Sequence, residues 1–329
     1  MEAWNGCSNE KKYAKLNTKA MEGKTNRKIK LTNSYKGILC FYEPMAEHTS
    51  LGLGGAADIY AVPNDLDSLK FLLKVAYDNS IPVLPIGHGT NLLIKDGGIR
   101  GIVLSLKSFR RFEVLDNNDN SYIYAAVGAG VPLGRFIQFT AKTGFSGLEG
   151  LAGIPGSVGG GVFMNAGSFG AEIGDCVVVV DILEKDGSKR TLNGRELSFS
   201  YRNSSFHEGS IIVEVKMRLK KDLPQSVKAR VREFLERKKT TQPLELPSAG
   251  CVFKNTDGKP AGRLLDLSGC KGMKIGNTEI SSLHANFFIN RGNSASDFLD
   301  LMSRASERVR KRFGIELMPE IQIIGEDRV

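Results

Sequence analysis

A cluster of glycines constrains this chain more than any other feature of its sequence. The stretch GLEGLAGIPGSVGGGVFMNAGSFG, residues 147–170, places five glycines within the nine positions 153–161. Glycine lacks a Cβ, so a ligand can approach the main chain there and accept hydrogen bonds from backbone N–H groups. Such a surface suits an extended anion, for example a diphosphate. The alternative is a tightly packed turn between strands.

A second glycine segment, PIGHGTNLLI at residues 85–94, starts like a dinucleotide-binding fingerprint with Gly87-x-Gly89. The third glycine of that fingerprint is replaced by Leu92, and a strand follows where a helix is required. The pattern therefore argues against a Rossmann site. Successive backbone N–H groups in such a turn still predict an anion-binding concavity, to which Thr90 and Asn91 add side-chain donors.

The bulk composition indicates a globular protein of two or three domains, with 329 residues and 41% hydrophobic residues. The net charge of +9 comes mainly from an N-terminal arm, residues 1–36, with nine Lys and Arg against three Glu. A solvated tail is the simplest reading of this arm, with a nucleic-acid contact as the alternative. Five widely spaced cysteines without CxxC indicate reduced thiols in the cytoplasm, and no metal site is expected.

Apolar periodicity predicts helices at 65–79, 132–143, 224–239 and 295–313. Strands are expected around 81–106 and 177–219, in short pieces after residue 251, and in the final stretch IELMPEIQII. A polar stretch ending in proline places the main domain boundary near residue 220. The fold class is therefore α+β, with two α/β lobes before that boundary and one after it.

The cysteine of PSAGCVFKN, residues 247–255, lies in a small-residue turn that leads into a strand. Buried cysteines are usually small hydrophobic residues of a core. A thiol with an ordinary pKa is mostly protonated at neutral pH and can also donate a proton. Position alone leaves both roles open for Cys251.

Eight motifs occur together in one order, and through them the chain resembles the bacterial UDP-N-acetylenolpyruvoylglucosamine reductases. These motifs are HTSLGLGGAAD, PIGHGTNLLI, GLAGIPGSVGGGVFMNAG, YRNSSF, TQP, PSAGCVFKN, HANFFIN and MPEIQIIG. The resemblance covers roughly residues 43–325. It implies a vanillyl-alcohol-oxidase / p-cresol-methylhydroxylase-type FAD-binding fold followed by a C-terminal α+β substrate domain.

The resemblance also implies an activity. Enzymes of this family use NADPH and a tightly bound FAD to reduce the enolpyruvyl ether of a UDP-sugar to UDP-N-acetylmuramate, in peptidoglycan precursor synthesis. The implied organisation is a basic arm at 1–36, an FAD-binding region of two lobes at 37–220, and a substrate-binding domain at 221–329 whose last strand returns toward the flavin. Arg202 and Lys239 are only 37 positions apart, which resembles the shorter subclass without an inserted substrate loop. A cytoplasmic monomer without nucleic acid or membrane insertion is expected.

Three residues carry the implied chemistry. Arg202 of YRNSSF matches the family's arginine that stabilises the enolate-like carboxylate, since its fork of donors suits a carboxylate. Glu320 of MPEIQIIG matches the glutamate that assists at the same carboxyl group. Cys251 stands where much of the family has serine, the proton donor to the developing carbanion. The resemblance thus favours the acid role for Cys251.

The resemblance assigns the remaining contacts to cofactor and substrate. His88 and Thr90 depart from the glycine and serine common in the family's flavin loop. The expected substrate contacts are Tyr201, Lys239 and Asn255. The expected cofactor contacts are Gly87, His88, Gly89, Thr90, Asn91, Leu92, Gly153, Ile154, Pro155, Gly156, Ser157, Val158, Gly159, Gly160, Asn165 and Ala166.

Two other functions remain open from the sequence. One is an oxidase of the same fold, in which oxygen reoxidises the flavin and NADPH has no role. The other is a basic binding protein whose arm contacts a polyanion, which predicts binding that salt weakens. The binding-protein reading leaves both glycine segments unexplained.

Overall fold

The computed structural model describes residues 35–115, 119–207, 209–256 and 258–328. The predicted basic arm lies outside these residues except for its last two positions. No helix in the described ranges is long and apolar enough to cross a membrane.

Six α-helices occur in the described residues. They are α1 (Leu66–Asp78), α2 (Leu133–Thr143), α3 (Val158–Phe163), α4 (Pro224–Thr241), α5 (Ala261–Leu267) and α6 (Ala295–Phe313). The four helices predicted from periodicity are confirmed as α1, α2, α4 and α6. Local signals set their ends: Asp65 accepts a hydrogen bond from the Ser68 N–H at the start of α1, and Gly144 ends α2 with φ 81°.

The strands form two larger sheets and several small ones. They are β1 (Gly37–Pro44), β2 (Ala56–Pro63), β3 (Val83–Ile86), β4 (Leu92–Ile94), β5 (Ile99–Ser105), β6 (Phe112–Leu115), β7 (Tyr122–Gly128), β8 (Phe145–Ser146), β9 (Gly167–Ser168), β10 (Ala171–Glu172), β11 (Val177–Leu183), β12 (Lys189–Asn193), β13 (Phe199–Ser200), β14 (Asn203–Ser204), β15 (Ile211–Lys221), β16 (Lys274–Ile275), β17 (Thr278–Ile280), β18 (Phe288–Asn290) and β19 (Gln322–Ile324).

The first sheet has the order β1-β2-β5-β3, and the second contains β12-β11-β15-β7-β6, with β8 paired to β15. Strands β16, β17 and β18 form a third sheet. Strand β19 pairs in parallel with β4, with Gln322 opposite Leu92. The end of the chain therefore lies beside the second glycine segment.

One helix was not predicted, and two sequence predictions are wrong in detail. Residues 158–163 form the short helix α3, although glycine occupies half of it. Residues 261–267 form α5, where only short strands were expected. The final strand covers only Gln322–Ile324, so Glu320 precedes it instead of lying within it. In each case tertiary packing overrides a weak local preference.

The hydrophobic cores divide the chain at a later position than the predicted boundary near residue 220. Val227 and Val231 of α4 are buried in the same cluster as Phe136 of α2 and Val215 of β15. A separate cluster contains the inner faces of α5 and α6 together with Leu51, Leu53 and Leu93 of the N-terminal region. Since α4 packs with the first core, we propose that the C-terminal domain begins after α4 and not at residue 221.

Candidate active site

The two glycine segments meet in the structure. A Cβ added to Gly87 would lie 2.8 Å from Ser157 Oγ, and one added to Gly160 would lie 3.8 Å from the Gly87 Cα. The Thr90 hydroxyl donates to the Pro155 carbonyl at 3.3 Å. Residues 87–92 and 153–160 thus form one largely main-chain surface, called the glycine surface below.

Not every glycine of this surface is explained by a ligand. A Cβ at Gly89, whose φ is +66°, would lie 1.9 Å from the His48 carbonyl oxygen. A Cβ at Gly159 would lie 2.7 Å from the Ala129 Cβ. Both positions therefore require glycine because the protein's own atoms approach them. Gly87 and Gly160 face each other instead, with only the Ser157 hydroxyl between them.

The Ser157 hydroxyl also begins helix α3 by accepting a hydrogen bond from the Gly160 N–H at 3.3 Å. Val158 and Val162 bury the opposite side of this helix completely. The buried valines anchor the segment, and Gly160 lies on the side that faces Gly87. Val158, an expected cofactor contact, has its side chain in the core.

His88 contributes an uncharged ring to the glycine surface at neutral pH. Burial lowers the pKa of His88, and the nearby Arg110 guanidinium lowers it further, while a hydrogen bond to the Gly156 backbone partly opposes this. A neutral imidazole fits beside a backbone anion site without adding charge.

Asn165 has a fully engaged side chain. It is completely buried and adopts φ 45°. Its amide nitrogen donates to Glu172 Oε2 at 2.6 Å and to the Ser200 carbonyl at 2.9 Å, and its amide oxygen accepts from the Gly174 N–H at 3.1 Å. Both amide protons and one acceptor position of this expected cofactor contact are therefore already engaged by protein.

Arg202 lies in the tight turn between β13 and β14 with φ 54°, an uncommon backbone conformation for a residue other than glycine. Its Nη2 donates to the Gly167 carbonyl at 2.8 Å, and its Nε forms a short ion pair with Glu320 Oε1. The Arg202 and Glu320 side chains are only 20% and 14% exposed. The ion pair is therefore largely shielded from solvent but still reaches the protein surface.

Cys251 lies on a short segment that the buried residue Asn286 holds in place. The Asn286 amide accepts from the Phe253 N–H at 2.9 Å and donates to the Phe253 carbonyl at 2.8 Å. The Val252 N–H donates to the Asn286 carbonyl at 2.9 Å. Asn286 was not identified as a site residue from the sequence, and its presence in HANFFIN was the only available signal.

Burial raises the pKa of the Cys251 thiol to about 12, and the Glu320 carboxylate raises it as well. Arg202, Asn286 and Lys238 act in the opposite direction but do not compensate. The thiol therefore keeps its proton throughout the neutral and mildly alkaline range. This protonation is what a proton donor requires.

Glu320 joins the Cys251 segment to the glycine surface. Its N–H donates to the Val252 carbonyl at 2.8 Å, and its own carbonyl accepts from Asn91 Nδ2 at 3.2 Å. The structure thus brings together the three expected catalytic residues, Arg202, Cys251 and Glu320, beside residue 91 of the glycine surface.

The two lysines at the end of α4 have different environments. Lys239 faces solvent and pairs with Glu236 at 2.9 Å, with both side chains about three-fifths exposed. Lys238 is 3% exposed, and in the described part of the chain its ammonium group has no carboxylate partner. Burial lowers the pKa of Lys238 to about 8, and the charge on Arg202 lowers it further. Lys238 is therefore a further candidate for a substrate-binding lysine, beside the expected Lys239.

The other two expected substrate contacts lie together. The Asn255 N–H donates to the Tyr201 hydroxyl at 3.3 Å, and the Asn255 side-chain oxygen accepts from the Ala261 N–H at the start of α5. Tyr201 is 45% exposed and lies under the Arg202 guanidinium, 5.1 Å from ring centre to Cζ. Both residues border the Arg202 turn.

Family models match most of the chain in two parts. An "FAD binding domain" model matches residues 57–193, which include both segments of the glycine surface. The model "UDP-N-acetylenolpyruvoylglucosamine reductase, C-terminal domain" matches residues 242–324, which include Cys251 and Glu320. The second match begins directly after α4, in agreement with the later domain boundary.

Individual relatives match nearly the whole chain. The UDP-N-acetylenolpyruvoylglucosamine reductase of Moorella thermoacetica is 40% identical over 285 residues, which is 86% of this chain and 92% of the relative. That of Geobacter metallireducens is 40% identical over 299 residues, covering 91% and 98%. The crystal structure of UDP-N-acetylenolpyruvylglucosamine reductase from Thermus caldophilus superposes with a TM-score of 0.73 at 33% identity, covering 88% of this chain and 99% of that one. The expected FAD-binding fold is thereby confirmed, and the chain belongs to the UDP-N-acetylenolpyruvoylglucosamine reductase family.

Proposed function

We propose that this protein is an FAD-dependent oxidoreductase that uses NADPH to reduce the enolpyruvyl ether of UDP-N-acetylglucosamine-enolpyruvate to UDP-N-acetylmuramate, in peptidoglycan precursor synthesis. One observation carries the proposal: Arg202, Cys251 and Glu320 come from distant parts of the sequence and meet beside the glycine surface. The membership of the family, with matches along almost the full chain, supports it.

The glycine surface fits the FAD diphosphate. Side chains are absent where Gly87 and Gly160 face each other, so a ligand could approach the main chain closely there. The cofactor would be held by residues 87–91 and 153–160. Within these ranges, Gly89, Gly159 and Val158 also pack against the protein's own atoms. When bound at this surface, FAD would supply the redox chemistry that links NADPH to the substrate double bond.

Arg202 is proposed to bind and stabilise the substrate carboxylate. Hydride addition to the methylene carbon leaves negative charge on the adjacent carbon and its carboxylate. A guanidinium held in a partly desolvated site stabilises that charge where it develops. Glu320 fixes the orientation of Arg202 through their ion pair and lies beside the same carboxylate position.

Cys251 is proposed to donate the proton that completes the reduction. The Cys251 S–H bond breaks, the proton goes to the carbon that carries the negative charge, and the resulting thiolate regains a proton from water. The raised pKa keeps the thiol protonated before each turnover and makes the thiolate a strong base afterwards. The same position in many relatives is a serine, which also carries one transferable proton.

Lys238, Tyr201 and Asn255 are proposed to bind the anionic and polar parts of the sugar nucleotide. A buried ammonium group without a carboxylate partner is costly unless an anion reaches it. Lys238 is in this situation, and the positive charge of Arg202 further disfavours its charged form. A substrate phosphate or carboxylate would supply the missing negative charge.

Both substrates, the sugar nucleotide and NADPH, are small molecules, and we propose that the protein acts on them as a monomer in the cytoplasm.

The visible spectrum of the purified protein tests this function. We expect a yellow protein that NADPH bleaches without oxygen and that UDP-N-acetylglucosamine-enolpyruvate then recolours. A colourless protein that cannot be reconstituted with FAD would contradict the assignment of the glycine surface. Rapid recolouring by air, with no response to NADPH, would identify an oxidase instead.

A further inference from the structure

The Arg202 turn and the segment that follows helix α3 are joined by a compact set of buried contacts. Arg202 donates to the Gly167 carbonyl at 2.8 Å, and Asn165, two residues earlier, donates to the Ser200 carbonyl at 2.9 Å. Ser200 is the last residue of β13, and Arg202 lies in the turn that follows. Two hydrogen bonds in opposite directions thus connect segments 165–167 and 200–202.

The backbone of both segments is in the left-handed region at the connecting residues. Asn165 has φ 45° and Arg202 has φ 54°. Such a conformation is unfavourable at most residues other than glycine and persists where the surroundings hold it. The Arg202 side chain leaves the chain at this turn and forms its ion pair with Glu320. Its direction therefore depends on the contacts that hold the turn.

We propose that Asn165 is a positioning residue for Arg202: its buried amide fixes the turn that directs the guanidinium toward the substrate carboxylate. This inference rests on the proposed function and concerns the step in which substrate is reduced. Asn165 holds the turn through Ser200 and is itself held by Glu172 and by the Gly174 N–H. Its role is thus distinct from the direct cofactor contact that the sequence pattern indicated.

Replacement of Asn165 by aspartate tests the role with almost no change in shape. Aspartate keeps the acceptor for the Gly174 N–H but loses both donors and places a carboxylate against the Glu172 carboxylate and the Ser200 carbonyl. In anaerobic stopped-flow measurements on the FAD-loaded protein, we expect N165D to slow reoxidation by the enolpyruvyl sugar nucleotide by about 10- to 100-fold, because small displacements of a catalytic group have effects of that order. Reduction by NADPH should change by less than about twofold, since Arg202 acts on the other substrate.

Glu172 provides the rescue. In N165D/E172Q the glutamine amide can donate to the introduced aspartate and removes the repulsion, so part of the lost reoxidation rate should return. E172Q alone should have a small effect, because Asn165 can donate to the glutamine oxygen. Asn193 is an exposed cap residue, for which aspartate is equally suitable. N193D is therefore the matched control and should leave both half-reactions unchanged.

A readout that does not depend on turnover separates this inference from the proposed function. The Arg202 Nε–H signal, identified by its loss in R202A, should exchange with solvent faster in N165D than in the wild type and recover in N165D/E172Q. This result would support the positioning role even if the wild type did not reduce the sugar nucleotide. Unchanged exchange of the Arg202 Nε–H would overturn it. Loss of FAD or an equal slowing of NADPH reduction would also overturn it, because Asn165 would then act on the cofactor.

Discussion

The Arg202 turn and the Cys251 segment meet at one site. The functional group of Arg202 is charged there, whereas that of Cys251 is neutral. Arg202 lies in a strained turn held by Asn165, and its charge is balanced by Glu320. Cys251 lies on a segment held by Asn286, and its thiol is kept neutral. A buried asparagine supports each segment, so the difference comes from the groups around the functional atoms.

Burial alone would remove charge from both residues. For Arg202, burial lowers the pKa, but the Glu320 carboxylate more than offsets this and the net shift is upward. For Cys251, burial and the same carboxylate both raise the pKa, to about 12. One carboxylate therefore stabilises the cation and suppresses the thiolate. Because Glu320 lies near both residues, the Arg202 guanidinium stays charged and the Cys251 thiol keeps its proton.

Removal of the Cys251 proton should have the largest effect. In C251A, reoxidation by the sugar nucleotide should slow by about 10²- to 10⁴-fold, the usual contribution of a positioned acid. Reduction by NADPH should remain intact. C251S should keep appreciable activity, since serine also carries a transferable proton. C270A changes another buried thiol that is not one of the three catalytic positions, and it is the control. Unimpaired turnover of C251A would remove Cys251 from the mechanism.

Replacing Lys238 and Lys239 one at a time should distinguish a buried substrate-binding lysine from an exposed surface lysine. K238M should raise the KM for the sugar nucleotide by about 10- to 100-fold, because a charged hydrogen bond to an anion contributes about 1.5–3 kcal/mol. K239M should change KM by less than about threefold, since exposed ion pairs contribute little. Steady-state kinetics of both variants measures this. The reverse order of effects would restore Lys239 as the substrate contact.

The pH dependence should show the smallest effect and follow Lys238, not Cys251. Lys238 is charged below its lowered pKa of about 8 and loses its charge as the pH rises through that value. The KM for the sugar nucleotide should therefore rise between about pH 7.5 and 9.5, by about tenfold per unit above the pKa. The Cys251 thiol keeps its proton over this range, so kcat should stay flat. A fall in kcat near about pH 8.5 would show an ordinary thiol pKa and contradict the contrast between the two regions.

The sequence alone was sufficient to predict the helices whose apolar residues recur with a strong helical periodicity. The apolar stripes and end signals of α1, α2, α4 and α6 predicted these helices because local capping and one-sided burial act within a few residues. The weakly patterned elements were missed. Helix α3 is rich in glycine, and it forms because Val158 and Val162 bury one face and Ser157 caps its start.

The types of chemical group at the site were also determined by the sequence: a glycine surface for an anion, an arginine, a carboxylate and a thiol in recognisable motifs. Only the tertiary structure decided how they act together. It buries Lys238 while its neighbour Lys239 stays exposed, bonds the Asn165 amide to Ser200 beside the Arg202 turn, and brings Asn286 against the Cys251 segment. It also set the direction of each pKa shift. The physical reason is that burial and charge proximity depend on contacts between residues far apart in the chain, 118 positions in the Arg202–Glu320 pair, and no local pattern encodes them.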